Sequence, residues 1–371
     1  MPGERARRTE RRPILRAGAA SARVRGLPVR KPTIRDVAKR AAVSLKTVSR
    51  VTNHEPAVRE RTRAKVMKAI AELGYKPDLS ARSLRGARAY AIGLVYDNPN
   101  PYYIINVQNG ALSVCRERGF GLQIHPCDST SANLPEELRA MVSHARLDGL
   151  ILAPPMSEHM GLIRHLAANK IKFVRILSAA EDPADGFPCV YVDDRDAAYD
   201  ITEHLIQLGH QRVGFIWGGA AHRSSPERYK GYESALKDYA IPLDKKLIVH
   251  GDYSFEDGFR AARKLLALKS RPTAIFGSND EIAAGVLAAA KSAGIEVPGE
   301  LSIAGFEDSA FSKQSWPALT TARQATEVIA RHAAQLLLAQ LSEQPGQGPG
   351  NEGFSPELVI RGSTAPPRMP R

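Results

Sequence analysis

Two hydrophobic periods divide this chain. Between residues 32 and 76 the apolar positions recur at helical spacing and predict three short helices. Pro32-Thr33 opens the first, with Thr33 as N-cap and Asp36 three residues on, an imperfect capping box. Ile34, Val37, Ala38 and Ala41 fall on one face. After a break at Ala42-Val43, Ser44 caps a second helix that carries Leu45, Val48 and Val51 at the same period. The third spans about Glu60 to Leu73, with Val66, Ile70 and Leu73 as its stripe and Gly74 as its C′ residue.

From Tyr90 onward short apolar runs alternate with helical stretches. Predicted strands are Ala91–Tyr96, Gly121–His125, Gly149–Leu152, Lys172–Ile176 and Cys189–Val192, then Arg212–Trp217, Leu247–His250, Thr273–Phe276, Leu301–Phe306 and Glu357–Ile360. Helices between them include Ile105–Arg118, Asp196–Leu208, Glu227–Tyr239, Phe255–Ala267 and Glu281–Ala293. Such alternation implies parallel sheets flanked by helices, and two sets in succession imply two doubly wound α/β lobes with a ligand cleft between them. The expected plan is a basic, disordered extension over 1–31, an all-α headpiece over 32–76 and a linker with a short helix over 77–89. A two-lobed sensor then spans 90–365, with a tail over 366–371. Residues 342–353 read as a flexible loop.

Charge sharpens this division. The net charge is +13 over 371 residues. Residues 1–31 hold ten Lys/Arg and two Glu, and residues 32–90 hold fourteen Lys/Arg and five Asp/Glu, which leaves −4 for the rest. A basic head on a mildly acidic body is the footprint of a polyanion-binding module. A membrane-surface role fits less well, because residues 32–76 pattern as a packed helical unit. No run reaches the length of a membrane span, and the N-terminus lacks the apolar stretch of a secretory signal. Three cysteines without metal-ligand spacing predict reduced thiols in a cytoplasmic protein.

The stretch Thr33-Ile34-Arg35-Asp36-Val37-Ala38-Lys39-Arg40-Ala41-Ala42-Val43-Ser44-Leu45-Lys46-Thr47-Val48-Ser49-Arg50-Val51-Thr52-Asn53 suits a helix-turn-helix. Small residues at 38, 41 and 42 let two backbones approach, while Lys46 and Arg50 face outward and can donate to guanine O6/N7 in a major groove. Ser44, Thr47, Ser49 and Asn53 suit phosphate oxygens, which fix register without reading sequence. The plainer reading is a helical hairpin with a solvated polar face; the charge asymmetry weighs against it.

This stretch resembles the headpiece of the LacI/GalR family of bacterial repressors. The resemblance continues through Gly74-Tyr75-Lys76-Pro77, Ala81-Arg82-Ser83-Leu84, Gly149-Leu150-Ile151-Leu152 and His204-Leu205-Ile206-Gln207-Leu208-Gly209-His210. It goes on through Arg228-Tyr229-Lys230-Gly231-Tyr232, Ser278-Asn279-Asp280, Pro298-Gly299-Glu300-Leu301-Ser302-Ile303 and Pro317-Ala318-Leu319-Thr320-Thr321. It implies that Leu45, Lys46 and Arg50 are the main base readers, supported by Thr33, Ser44, Thr47, Ser49 and Asn53. Asp78–Arg85 would be a hinge helix that orders when two subunits meet on a palindromic operator. Ala81 and Arg82 would lie against DNA and Leu84 would wedge into the minor groove; otherwise Leu84 packs against the lobe below. Two-fold pairing implies a homodimer, and the tail offers no leucine heptads for a tetramer.

The family's sensor resembles periplasmic binding proteins. Arg228 and Asn279 match its effector-contacting positions, and Tyr253 falls where a sugar-stacking aromatic occurs. Asp97, Tyr102 and Tyr103 follow the first strand, Arg175 lies near another strand end, and all would face the cleft. Core packing is the alternative for each aromatic. These groups suit a polyhydroxylated ligand, expected to act as inducer of a carbohydrate-responsive repressor; a purine corepressor is the alternative. Two departures stand out. Ala42 occupies a turn where many relatives have Gly, a strained choice if φ is positive there. Glu307 in Gly305-Phe306-Glu307-Asp308 replaces the usual Asp and would push a carboxyl further into the cleft. A solute-binding transport protein fits the lobes alone but not the basic headpiece. An enzyme lacks support from any nucleophile elbow, phosphate loop or zinc-helix motif, so neither catalysis nor a cofactor or metal is expected.

Overall fold

The computed structural model describes residues 32–52, 58–75, 89–98, 100–179, 183, 185–219, 222–342 and 350–368. The expected extension over 1–31, Asn53, and Ala81, Arg82 and Leu84 of the expected hinge lie outside these residues. The chain divides into two compact units, Met1–Asp78 and Leu79–Arg371.

The first unit holds α1 (Ile34–Ala41), α2 (Leu45–Thr52) and α3 (Glu60–Leu73). Its core is small: Val37, Ala38, Ala41, Val48, Val51, Val66 and Ala69 are buried, with Ile34, Val43, Ile70 and Leu73 packed around them. The Asp36 carboxylate accepts from both the backbone N–H and the hydroxyl of Thr33, each at 2.7 Å, which fixes the start of α1. Ala42 ends that helix in the left-handed region at φ 53°. The turn does demand the conformation that glycine adopts most cheaply.

The second unit contains β1 (Ala91–Tyr96), α4 (Pro101–Arg118), β2 (Gly121–Pro126), α5 (Leu134–Ala145), β3 (Gly149–Leu152), α6 (Met160–Ala168), β4 (Phe173–Ser178) and β5 (Cys189–Val192). It continues with α7 (Asp194–Gln207), β6 (Val213–Ile216), α8 (Ser224–Asp238), β7 (Ile248–Val249), α9 (Phe255–Leu266), β8 (Ala274–Gly277), α10 (Asp280–Ser292) and β9 (Ser302–Ala304). Last come α11 (Ala310–Gln314), β10 (Thr321–Arg323), α12 (Thr326–Gln340), β11 (Glu352–Phe354) and β12 (Glu357–Val359). The first lobe is a parallel sheet in the order β11-β5-β4-β3-β1-β2 and the second a parallel sheet in the order β7-β6-β8-β9. Strands β3, β4, β6 and β8 are buried at every residue, as expected where helices cover both faces.

Two expectations are corrected. Part of the predicted loop 342–353 is strand β11, which pairs in parallel with β5 through Glu352↔Val190 and Phe354↔Val192. Glu357–Val359 does not extend the parallel sheet of the second lobe but pairs antiparallel with β10. Both segments are three residues long, so local period could not assign their partners. The chain therefore returns to the first lobe late: α12 packs on α4, where a Cβ at Gly110 would lie 2.2 Å from the Glu327 carbonyl oxygen. Ile329, Ala330, Ala333 and Leu337 complete the first lobe's core there.

Candidate nucleic-acid interface and ligand cleft

In the headpiece, Val48 and Val51 point α2 into the core, so the opposite face is left outward. Ser44, Leu45 and Lys46 are exposed, Leu45 at 45%, and Thr47, Ser49 and Arg50 are half-buried. An exposed leucine beside a lysine on the first turn of a helix is a costly arrangement for water alone and a useful one for base edges. The Ser44 hydroxyl accepts from the Thr47 backbone N–H at 3.1 Å and bonds the Thr47 hydroxyl at 2.9 Å. Thr33 is placed at the start of α1 with its hydroxyl committed to Asp36.

The cleft lies in the second unit and spans ≈ 480 Å³, the open solvent at its entrance included. Its polar lining stands at or just beyond the carboxyl ends of strands. Asn98 and Asn100 follow β1, Ser178 ends β4, Asp194 follows β5 and His222 follows β6. Tyr253 follows β7, Asn279 follows β8 and Glu307 follows β9. This is where open parallel sheets leave room, because the crossovers there separate.

Arg228 is the central cation. Its Nε donates to Asp194 Oδ1 at 2.7 Å, its Nη1 donates to the Ser278 carbonyl, and its Cζ lies 3.6 Å from the Phe306 ring centroid. Asp194 is further fixed by the Ser178 hydroxyl at 2.5 Å. The Arg228–Asp194 pair is almost wholly buried, with side chains 4% and 3% exposed. Asn279 caps α10 by accepting from the Ile282 N–H at 2.8 Å, and its Nδ2 donates to the Tyr253 carbonyl at 3.3 Å. Tyr253 itself sits at φ 56° and its hydroxyl bonds Ser224 and Ser225 at 2.8 and 2.9 Å.

Glu307 is the most strained residue of the cleft, at φ 109°, followed by Asp308 at 58°. That loop is over-determined by its surroundings. Asp308 pairs with Arg361, Arg323 and Lys313. Asp280 accepts from the Ser309 N–H and the Thr321 hydroxyl, each at 2.7 Å. Glu307 Oε2 accepts from Asn100 Nδ2 at 2.7 Å, across the cleft. Burial pushes its carboxyl up to about 8, against the pull of Arg228. Burial also raises Asp280 to about 6 and lifts the Tyr103 phenol well above its ordinary range. Burial, reinforced by Arg228, holds His222 below the usual imidazole range.

Of the eight predicted effector residues, Tyr103, Arg228, Tyr253, Asn279 and Glu307 line the cleft together. Three do not. Asp97 accepts from the Ser129 N–H and hydroxyl at 2.8 and 2.6 Å, tying down the loop after β2. Tyr102 turns its ring edge-on to Phe311, 5.4 Å between centroids. Arg175 is turned away to the Asp185 carboxylate at 2.6 and 2.7 Å and lies over the Phe187 ring. Sequence reading missed Asn98, Asn100, Ser178, Asp194, His222, Ser224 and Gln324. The available signal was position: most are among the first polar residues past a strand end. Among the described residues no helix is long and apolar enough to cross a membrane, and no group of His, Cys, Asp and Glu could hold a metal.

Comparison with known proteins agrees with both halves. The profile of the bacterial regulatory proteins of the lacI family matches residues 33–78, and that of a periplasmic binding protein-like domain matches residues 202–364. The HTH-type transcriptional regulator DegA of Bacillus subtilis is 33% identical over 355 residues, 91% of this chain and 99% of its own. Catabolite control protein A of Priestia megaterium is 31% identical over 84% of this chain and 93% of its own. Among solved structures, a lac repressor dimer bound to operator and the anti-inducer ONPF superposes with a TM-score of 0.70 at 27% identity, covering 90% of this chain and 99% of that one. The transcriptional regulator CelR in complex with cellobiose does so with a TM-score of 0.67 at 26% identity, over the same shares. A helix-turn-helix with an exposed Leu-Lys turn, a strand-end cleft around a buried arginine, and relatives that regulate transcription converge: this chain belongs to the lacI family of bacterial transcription regulators.

Proposed function

We propose that the protein is a cytoplasmic, non-enzymatic repressor that binds a palindromic operator as a homodimer and leaves it when a small sugar-type inducer fills the cleft. The observation that carries the ligand reading is Arg228. A guanidinium held by Asp194, Ser278 and Phe306 is set rigidly at the cleft wall, with Asn98, His222, Gln324 and Glu307 around it. Rigid donors and acceptors beside Tyr103 and Tyr253 suit a ligand with hydroxyls and C–H faces. The CelR–cellobiose neighbour makes a carbohydrate the favoured class. On the DNA side, Leu45, Lys46 and Arg50 read bases, and Thr33, Ser44, Thr47, Ser49 and Asn53 hold phosphates. Ala81, Arg82 and Leu84 act at the operator centre. Effector binding works by its differential affinity for the DNA-binding and released states.

The test is capture of genomic fragments by the purified full chain at fixed salt, followed by sequencing, for the native protein, Arg50→Ala and Leu84→Ala. One palindrome enriched by the native protein and lost by both variants is the expected result. Sugars added to the captured complex should then release it. Enrichment of nothing above a salt-sensitive background, with or without sugars and purine bases, would remove the repressor reading.

A further inference from the structure

Charge accounting in the cleft points to the chemistry of what it holds. Among the described residues the one arginine lining it, Arg228, is already paired with Asp194 at 2.7 Å. Among the described residues the one histidine, His222, has its pKa pushed below the usual imidazole range by burial and by Arg228. Against these stands Glu307, on which Asp280 and Glu281 of α10 add further negative charge, with Tyr103 also in the lining. Outside the lining but close enough to act on Tyr103, Glu158 adds a further carboxyl, with Arg223 beside it: Oε2 accepts from the Arg223 N–H at 2.9 Å, and Oε1 is buried without a hydrogen-bond partner. Among the described residues, then, the lining of the cleft has no uncompensated cation.

Glu307 is also unable to withdraw. Its backbone is fixed by the Asp280 and Asp308 networks described above. Its Oε2 is held by Asn100, whose own Oδ1 accepts from the Tyr102 and Tyr103 N–H groups at 3.0 and 3.2 Å as the N-cap of α4. The glutamate thus spans from one lobe to a rigid helix start on the other. The longer side chain accounts for that reach.

We propose that the cleft selects an uncharged hydroxylated ligand and rejects its carboxylate- and phosphate-bearing analogues, with Glu307 and the Asp194–Arg228 pair as the selecting groups. The inference rests on the sugar-effector reading of the same cleft. An anion entering here loses its hydration and meets no free counter-charge, so its desolvation is not repaid. At neutral pH the Glu307 carboxyl, pushed up to about 8, can stay protonated beside such a ligand. Above that pH it ionises and the two charges repel. A hydroxyl, by contrast, accepts from Glu307 when that carboxyl is protonated, donates to it when it is ionised, and accepts from the arginine.

The experiment is titration calorimetry of the full chain with three matched probe sets: glucose, galactose and mannose, each with its uronic acid and its 6-phosphate, at pH 7.5 and 9. In whichever set binds, the neutral sugar should bind at least about tenfold more tightly than both anions, the ratio widening at pH 9. Glu307→Gln should abolish the widening, and Asp194→Asn, which frees Arg228, should narrow the ratio at both pH values. A uronate or phosphate binding as tightly as its parent sugar to the native protein overturns the proposal while leaving the sugar cleft standing. If no member of any set binds, and none releases operator DNA, the sugar-effector reading itself fails and takes this inference with it. The comparison on the native chain stands even if a variant does not fold.

Discussion

The ring of Tyr253 lies directly on Gly218: a Cβ at that glycine would fall 2.1 Å from the tyrosine Cζ. No L side chain fits there without moving the ring, and the ring cannot move cheaply. Its hydroxyl is tied to Ser224 and Ser225, and its backbone is held in the left-handed region by the Asn279 contact to its carbonyl. Gly218→Ala should therefore displace Tyr253 from the cleft wall and destabilise the protein by about 1–3 kcal/mol, the usual range for overpacking. Urea denaturation gives the stability change. Native stability with an unmoved tyrosine would show that the loop after β6 yields instead.

The Asp194–Arg228 pair supports a second prediction. Removing one partner leaves the other charge buried, a loss of about 3–5 kcal/mol for Arg228→Ala. Replacing both with apolar groups of similar size, as in Arg228→Met with Asp194→Leu, should cost much less than the sum of the single changes. A double-mutant cycle by denaturation measures this. Additive losses would mean that Ser178, Ser278 and Phe306 carry the stabilisation rather than the pair.

Acid–base behaviour follows from Glu307. A carboxyl held above its ordinary range in the folded state contributes stability fully below its unfolded value, and that contribution is lost as pH rises through the folded value. For Glu307 the loss runs from near 4.5 to about 8. Asp280 at about 6 and Glu158 at about 7 act in the same sense over narrower windows. His222, held low, acts oppositely and costs stability only as pH falls below its ordinary range. Thermal unfolding across pH 5–9 should show the native protein falling relative to Glu307→Gln between pH 5 and about 8 and running parallel to it above. Curves parallel over the whole range would mean that Glu307 is already ionised at pH 5.

In the headpiece, Ala42 at φ 53° pays a conformational cost that glycine avoids. Ala42→Gly should stabilise the three-helix unit by about 0.5–1 kcal/mol. Amide exchange at Val43, whose N–H bonds the Ala38 carbonyl at 3.1 Å, should slow correspondingly. Faster exchange would mean that the alanine methyl makes a packing contact worth more than its strain.

Much of this protein is written in local pattern. The spacing of Val37, Ala38, Val48, Val51 and Val66 determines three helices and a core, because an apolar stripe at that period can be buried in one way. Fully apolar runs such as Gly149–Leu152 and Ala274–Gly277 determine strands covered on both faces. The asymmetric charge and the helix-turn-helix pattern single out the headpiece, and motif order identified the family. What the sequence left open was long-range. Tyr102 and Tyr103 are neighbours on one helix turn, so they point apart: one meets Phe311 and the other the cleft. Arg175 and Arg228 are chemically alike in sequence, and only the placement of Asp185 and Asp194 decides which is drawn away and which is set in the cleft. Asn100 and Glu307 are 207 positions apart and meet because two parallel sheets bring their strand ends to one crevice. Local sequence dictates elements and their buried faces, since those depend on near neighbours. Which polar groups share a site is decided by tertiary structure, since burial and partner charge, and hence the state of each group, exist only once the lobes have formed.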